Sequence, residues 1–483
     1  MKQCANPIPL RFRRRGIIFV AAIWIMVILG ALVLVFARSM RTEVIASGNQ
    51  LADAQTTAIE LGAEQYVLSA VDGCGGDAAA VLQTPAEQMQ LGSGYFWILQ
   101  PYQQQDYQYA FGICDECSKL PLNSASDQAL ALLPGITQDL ADSIVDWRDA
   151  DETVTGQGAE SSFYESQPRP YASKNALFES VEELYLIKNM SDDVMWGMDL
   201  NHNGVMDLTE QQAGGMAGAF NAANNASRGI APYVTVWGTE PNTSSSGQAR
   251  IDISNVNQGN QNALQAALKT GLNDAKRASQ ISGQAMNKTF KNIFDFAVKT
   301  NMKSAELAKV EDLLTTTPGK TRSGGVNVNT ATEPVLMCLG LQQADADAII
   351  AQQSIGSSGS GGSTTGAGAS AGGAASGATP GMGVAWVMDA ITPAKAVTIG
   401  SLITGKSYFY SADIVAVTGD GRAFRRIRIV VDASSSPPLI VYRKDLTSLG
   451  WPLSDDIRAA LRAGQPPPAS NGFGTGAGNG LLR

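Results

Sequence analysis

The chain has 483 residues, only 16% of them charged, with 50 glycines and a formal net charge of −9. That length predicts two or three domains, and the acidic, weakly charged balance offers no basic face of the kind nucleic acid requires. The only histidine is His202, and no nucleophile stands in a recognisable constellation with a base, so the chain reads as a non-enzymatic protein.

The N-terminus carries a short leader, residues 1–16, with Arg11, Arg13, Arg14 and Arg15 before Gly16. An uncharged apolar run follows over 17–37, long enough to span a bilayer as a helix. The arginine cluster predicts a cytoplasmic leader and an exported bulk, hence a single-pass membrane protein. No Ala-x-Ala site of a secretory signal closes the run. Residues 38–70 continue it as a helix, with Leu51, Ala54, Ala58, Leu61, Ala63 and Val67 at helical spacing.

This order of basic leader, glycine, apolar stretch and amphipathic extension resembles the N-terminus of type IV pilins and type II secretion pseudopilins. The resemblance implies cleavage by a prepilin peptidase between Gly16 and Ile17 and methylation of the new amine. Most of those families carry glutamate at the fifth mature position, where it neutralises a neighbour's amine; here that position is Ala21. The K subunit, a minor pseudopilin placed at the filament tip, typically lacks that glutamate.

Residues 71–117 read as the first part of a pilin-like head. Two aromatic strands, Tyr95–Leu99 and Tyr107–Phe111, are predicted around a polar turn over 100–106. Of the cysteines, Cys4 lies in the leader, and Cys74, Cys114, Cys117 and Cys338 lie outside it. A disulfide, local between Cys114 and Cys117 or linked to Cys74, is the expected pairing in an oxidising compartment. A zinc site lacks its second ligand pair.

From 118 to 355 the sequence becomes helical and repeats itself. Asn123–Arg148 and Asn329–Ala351 each predict a capped helix, a tight turn at Gly135 or Gly340, and a second helix with a small apolar face. These are two helix-hairpin-helix-like units. Such units can bind DNA, as in a DNA-uptake receptor. Here the flanks Thr137, Gln138, Asp139 and Gln342–Asp345 lack the lysines and arginines that neutralise phosphates, which favours a packing role and no nucleic-acid partner.

Between the copies, Asp146-Trp-Arg-Asp-Ala-Asp, Gly158-Ala-Glu-Ser-Ser-Phe-Tyr164 and Phe178-Glu-Ser-Val-Glu-Glu-Leu184 resemble the corresponding region of the K family of type II secretion minor pseudopilins. In that family it belongs to a helical domain inserted into the pilin head. Short strands are predicted at Tyr233–Trp237 and Ala249–Ile253, then a weakly apolar helical insertion over about 261–315 and a Gly/Ser/Ala linker over 356–383. Strands return over 384–455, as 407–418, a Gly419-Asp420-Gly421 turn, 424–432 and 437–443, to complete the head. Residues 456–483 are expected to be a partly disordered tail. Arg425, Arg426 and Arg428 are expected on the solvated face of their strand. The resulting fold class is α+β: a long N-terminal helix packed on a discontinuous antiparallel sheet, with a large inserted all-α domain.

The sharpest chemical motif is Asp199-Leu-Asn201-His-Asn203-Gly204-Val205-Met206-Asp207-Leu-Thr-Glu210. It matches the twelve-residue calcium loop of an EF-hand, with oxygen ligands at positions 1, 3, 5 and 9, glycine at 6, the Val205 carbonyl at 7 and glutamate at 12. Met206 is expected to pack inward and His202 to face solvent. Two asparagines lower the loop's charge and predict modest calcium affinity, suited to a structural clamp. Asp149, Asp151 and Glu160 form a second acidic group, at a place where the K resemblance also implies acidic ligands.

The whole predicts a type II secretion minor pseudopilin at the pseudopilus tip. Its implied partners are other minor pseudopilins, the prepilin peptidase, the inner-membrane secretion platform and secreted cargo. The alternatives are a type IV pilus minor pilin or DNA-uptake receptor, and an uncut signal-anchored calcium-binding structural protein.

Overall fold

The computed structural model describes residues 15–100, 110–204, 210, 229–357 and 383–468. Helix α1 runs from Arg15 to Val71 without a break, so Gly16 and Ile17 fall in its first turn. Its first half is apolar on every side and exposed; Trp24 and Leu34, for example, keep 63% and 70% of their surface open. Among the described residues it is the one helix long and apolar enough to cross a membrane. In the second half, Ala52, Ile59, Ala63, Val67 and Val71 are buried at helical spacing and form a single stripe.

That stripe packs on a six-stranded sheet. Its strands are β1 (Met89–Leu91), β2 (Gly94–Leu99), β3 (Cys114–Asp115), β4 (Phe409–Val417), β5 (Phe424–Asp432) and β6 (Leu439–Asp445). The order is β1-β2-β4-β5-β6, with β3 also on β4. The pairings among these strands are antiparallel, and the register sets Ile98, Ile414 and Ile427 side by side. Phe96, Ile98, Ile414, Ile427 and Ile429 face Ile59, Ala63 and Val67 of α1. Replacing Ile414, fully buried in that row, by alanine is expected to cost about 2–5 kcal/mol, read as a lowered denaturation midpoint.

The other side of the sheet is covered as well. Trp97, Leu99, Val415 and Val417 pack on Leu453, Ile457 and Leu461. The last two project from a helix, Asp455–Arg462, so the expected tail begins as a docked element. With both faces covered, all nine residues of β4 are buried. The turn into β5 closes through Gly421, whose φ of +62° suits glycine and whose N–H donates to the Thr418 carbonyl at 2.9 Å. The second aromatic strand lies mostly outside the described residues. Phe111 makes a single antiparallel bridge to Leu99, and the ladder partners of β2 are β1 and β4.

The sheet is discontinuous because an inserted domain separates β3 from β4. Its helices Asp127–Leu130 and Gln138–Arg148 flank Gly135 (φ +81°), and Glu333–Cys338 and Gln343–Ser357 flank Gly340 (φ +85°). Ser126 and Thr137 cap the first two, their hydroxyls accepting from Ala129 N–H at 3.1 Å and Leu140 N–H at 3.4 Å. The 261–315 stretch is not one helical run. It breaks into Gln261–Leu272, Ala275–Ala285, Ile293–Lys299 and Ser304–Leu307, with left-handed Asn273, Asn287 and Asn301 at the breaks. Its Leu264, Leu268, Ile281, Phe294 and Phe296 sit in the domain's main core, so the segment is integral rather than appended. The expected strands near 233 and 249 shrink to Val234–Thr235 and Ile251–Asp252. The 356–383 linker lies outside the described residues except at its ends.

A buried polar hub joins domain to sheet. Asp115 of β3 accepts through Oδ2 from Asn327 Nδ2 at 2.9 Å, Thr330 Oγ1 at 2.5 Å and Ser407 Oγ at 2.7 Å. Its neighbour Glu116 accepts from Thr235 Oγ1 at 2.7 Å and Ser411 Oγ at 2.6 Å. Buried carboxylates need this many donors to offset lost hydration.

Candidate functional site

The loop at Asp199 is entered from a short helix, Asp192–Met195, capped by the Ser191 hydroxyl. Asp199 accepts from Asn203 N–H through Oδ1 at 3.1 Å and from Gly204 N–H through Oδ2 at 2.8 Å. Asn201 Oδ1 accepts from Asn203 N–H at 3.0 Å. Glu210 Oε1 closes the ring, accepting from Leu200 N–H at 2.9 Å and Asn201 N–H at 3.2 Å. Left-handed backbone at His202 (φ +56°) and Gly204 (φ +80°) makes the curl. Val205, Met206 and Asp207 lie outside the described residues.

The predicted ligands Asp199, Asn201, Asn203 and Glu210 are thus brought to one loop, and Asp199, Asn203 and Glu210 are buried. Asn203 donates through Nδ2 to the Pro452 carbonyl at 2.9 Å. Two carboxylates buried in one oxygen-only loop suit a hard cation such as calcium.

His202 does not face solvent. Its ring stacks on Trp196 at 3.6 Å and 11°, and burial, with Arg428 and Arg426 adding to it, holds the imidazole down to about 3. Trp196 is itself oriented by a 2.9 Å bond from its indole N–H to Tyr185 Oη.

The three arginines of β5 also depart from the solvated face expected of them. Arg426 is fully buried. It grips Asp413 of β4 through Nε at 2.8 Å and Nη2 at 2.7 Å, and donates to the carbonyls of Asn201 at 2.5 Å and His202 at 2.7 Å. Arg428 donates to the same Asp413 at 2.9 Å, while Arg425, on the opposite face, pairs with Glu60 of α1 at 2.8 Å. The reason is two-sided cover: α1 lies over one face of β5 and the 199–204 loop over the other. Burial pushes the Asp413 carboxyl up, but Arg426 and Arg428 outweigh it and hold it below the ordinary range.

A second acidic group lies at the end of Gln138–Arg148. Carboxylate oxygens of Asp146, Asp149 and Glu160 all lie within 4.8 Å of one another. Asp146 Oδ2, Asp149 Oδ1 and Glu160 Oε1 are buried with no hydrogen-bond partner. Burial raises all three; Asp142 adds to it at Asp146, Asp151 and Asp146 add to it at Asp149, and Asp146 and Asp149 help bring Glu160 to about 7. Three orphaned, converging oxygens fit a divalent cation. Asp151, expected here, is exposed and accepts instead from Thr153 N–H at 2.8 Å. Asp146 takes its place. The signal was the Asp146, Asp149 spacing of three, which sets both carboxylates near one face at the helix end.

The expected Cys114–Cys117 disulfide is not formed; Cys74, Cys114, Cys117 and Cys338 are free thiols. Burial pushes Cys114 up to about 11 and Cys117 higher still. At the hairpin turns, Lys395 is paired with Asp345 at 2.6 Å, and Arg148 donates inward to the carbonyls of Leu122 and Ala125.

Residues 123–198 match the family model described as type II secretion system (T2SS), protein K. Over those residues the chain is similar to protein K. The K-like segment opens at the first hairpin copy, takes in Asp146, Asp149 and Glu160, and stops one residue before Asp199. A solved structure, described as the crystal structure of the GspK-GspI-GspJ complex from the enterotoxigenic Escherichia coli type 2 secretion system, aligns with 81% of the K-like chain and 96% of its own chain. Identity there is 11% and the TM-score 0.36. No curated protein matches.

Proposed function

We propose that this K-like chain is a minor pseudopilin of type II secretion that caps the tip of the periplasmic pseudopilus. The observation that carries the reading is the protein K match within the domain that interrupts the helix-backed sheet. The exposed apolar half of α1 supplies the membrane anchor before assembly and the filament core after it. Leader cleavage after Gly16 by the prepilin peptidase gives a chain starting at Ile17. Ala21 lacks the carboxylate that would neutralise a neighbour's amine, which suits a subunit with none above it. Partners in this reading are other minor pseudopilins, of the kinds named in the GspK-GspI-GspJ complex, the inner-membrane platform and the secreted cargo.

Calcium is the resident metal of this reading, held by Asp199, Asn201, Asn203, the Val205 carbonyl, Asp207 and Glu210, and in a second place by Asp146, Asp149 and Glu160. It supplies positive charge that offsets buried carboxylates. The role is structural, a clamp on the inserted domain. Deleting the gene is expected to trap folded exoproteins in the periplasm, with secretion restored by the wild-type chain; unchanged secretion in the deletion strain would contradict the assignment.

A further inference from the structure

The loop at 199–210 and the β4–β5 hairpin belong to different parts of the fold, yet one side chain joins them. We propose that Arg426 is the positioning residue through which calcium in this loop locks the inserted domain onto the sheet. The inference rests on the calcium reading above and goes beyond it, from a clamp within one domain to a latch between two.

Arg426 is fully buried, and its fork is divided between the two partners. One side holds Asp413 in a two-point grip, at 2.8 and 2.7 Å. The other donates to the carbonyls of Asn201 and His202, at 2.5 and 2.7 Å. Those carbonyls belong to the third and fourth positions of the loop, so the backbone between Asn201 and Asn203 is held from outside by the sheet. Asp413 is shared with Arg428 and so offsets one of the two guanidinium charges behind the loop.

Two further contacts close the same interface. Asn203 Nδ2 reaches the Pro452 carbonyl, and Arg428, which also holds Asp413, lies over the ring of Trp196, on which His202 stacks from within the inserted domain. Only a planar fork with separate donor directions serves an acid and two carbonyls at once; the single ammonium of lysine cannot. By linkage, a sheet that pre-orders the loop raises calcium affinity, and calcium in the loop steadies the sheet contact by the same factor.

The test uses the full chain in detergent, with calcium titration and amide hydrogen exchange on wild type, Arg426→Lys and the neutral pair Asp413→Asn with Arg426→Gln. Calcium is expected to slow exchange in wild-type β5, over 424–430, as well as in the loop. Both variants are expected to bind calcium about tenfold more weakly, within the usual range of such couplings, and to lose the β5 protection while that of the inserted domain's core persists. Wild type that binds calcium without any change in β5 overturns the latch alone, whether or not the variants fold, as does an unchanged affinity in Arg426→Lys. Wild type that binds no calcium overturns the calcium reading itself.

Discussion

Removing calcium with a chelator is expected to lower the thermal midpoint of the wild-type protein, and Asp199→Ala combined with Glu210→Ala is expected to cut that response to what the Asp146, Asp149 and Glu160 group contributes. The loop gathers two buried carboxylates whose charges are met inside it by backbone amides of 200, 201, 203 and 204. A divalent cation bound beside two buried carboxylates offsets their charge. At a calcium concentration of a hundred times Kd, binding to the folded state alone stabilises by about 2.7 kcal/mol. For a domain of this size that is a midpoint rise of about 5–10 °C. Removing Asp146 and Glu160 carboxylates as well is expected to give a chain that melts alike with and without the ion. Scanning calorimetry reads both states, and a wild type indifferent to chelator would remove the clamp.

Arg426→Met should be among the most damaging single substitutions in the head. A strand residue on a solvated face changes stability by no more than about 0.5 kcal/mol. Arg426 instead holds a buried acid and two backbone carbonyls. Removing one partner of a buried ion pair costs about 3–5 kcal/mol because the other charge is left behind. Arg428 stays bound to Asp413 at 2.9 Å, which places the cost at the lower end, about 3 kcal/mol. Adding Asp413→Leu removes the stranded charge and is expected to recover much of the loss. Urea unfolding of the two variants decides it; a single variant as stable as wild type would mean that Asp413 finds compensation elsewhere.

How far the sequence reached follows from what one segment can reveal about itself. The unbroken apolar run and the small-residue stripe define α1, and alternation around a Gly-Asp-Gly turn places β5 at 424–432 to the residue. Local pattern also brings Asp199, Asn201, Asn203 and Glu210 to one curled loop, since they lie within one twelve-residue stretch. Distant packing does not show in that way. Arg426 looks like any outward strand arginine until the 199–204 loop covers it, and His202 looks solvated until Trp196 is found beneath it. The K resemblance points to Asp149, Asp151 and Glu160, and only the fold shows Asp146, inside the preceding helix, beside Asp149 and Glu160. The weakly apolar 261–315 stretch hides a buried core because its apolar residues are spread over several short helices, each too brief to show its own stripe.

The account stands most directly on the start of the mature chain, measured as the mass of its N-terminal peptide from purified membranes. A peptide beginning at Ile17 with a methylated amine is the expected result, since it requires a prepilin peptidase to have read the basic leader and Gly16. A peptide that still begins at Met1 would contradict assembly as a pseudopilin and reduce α1 to a membrane anchor.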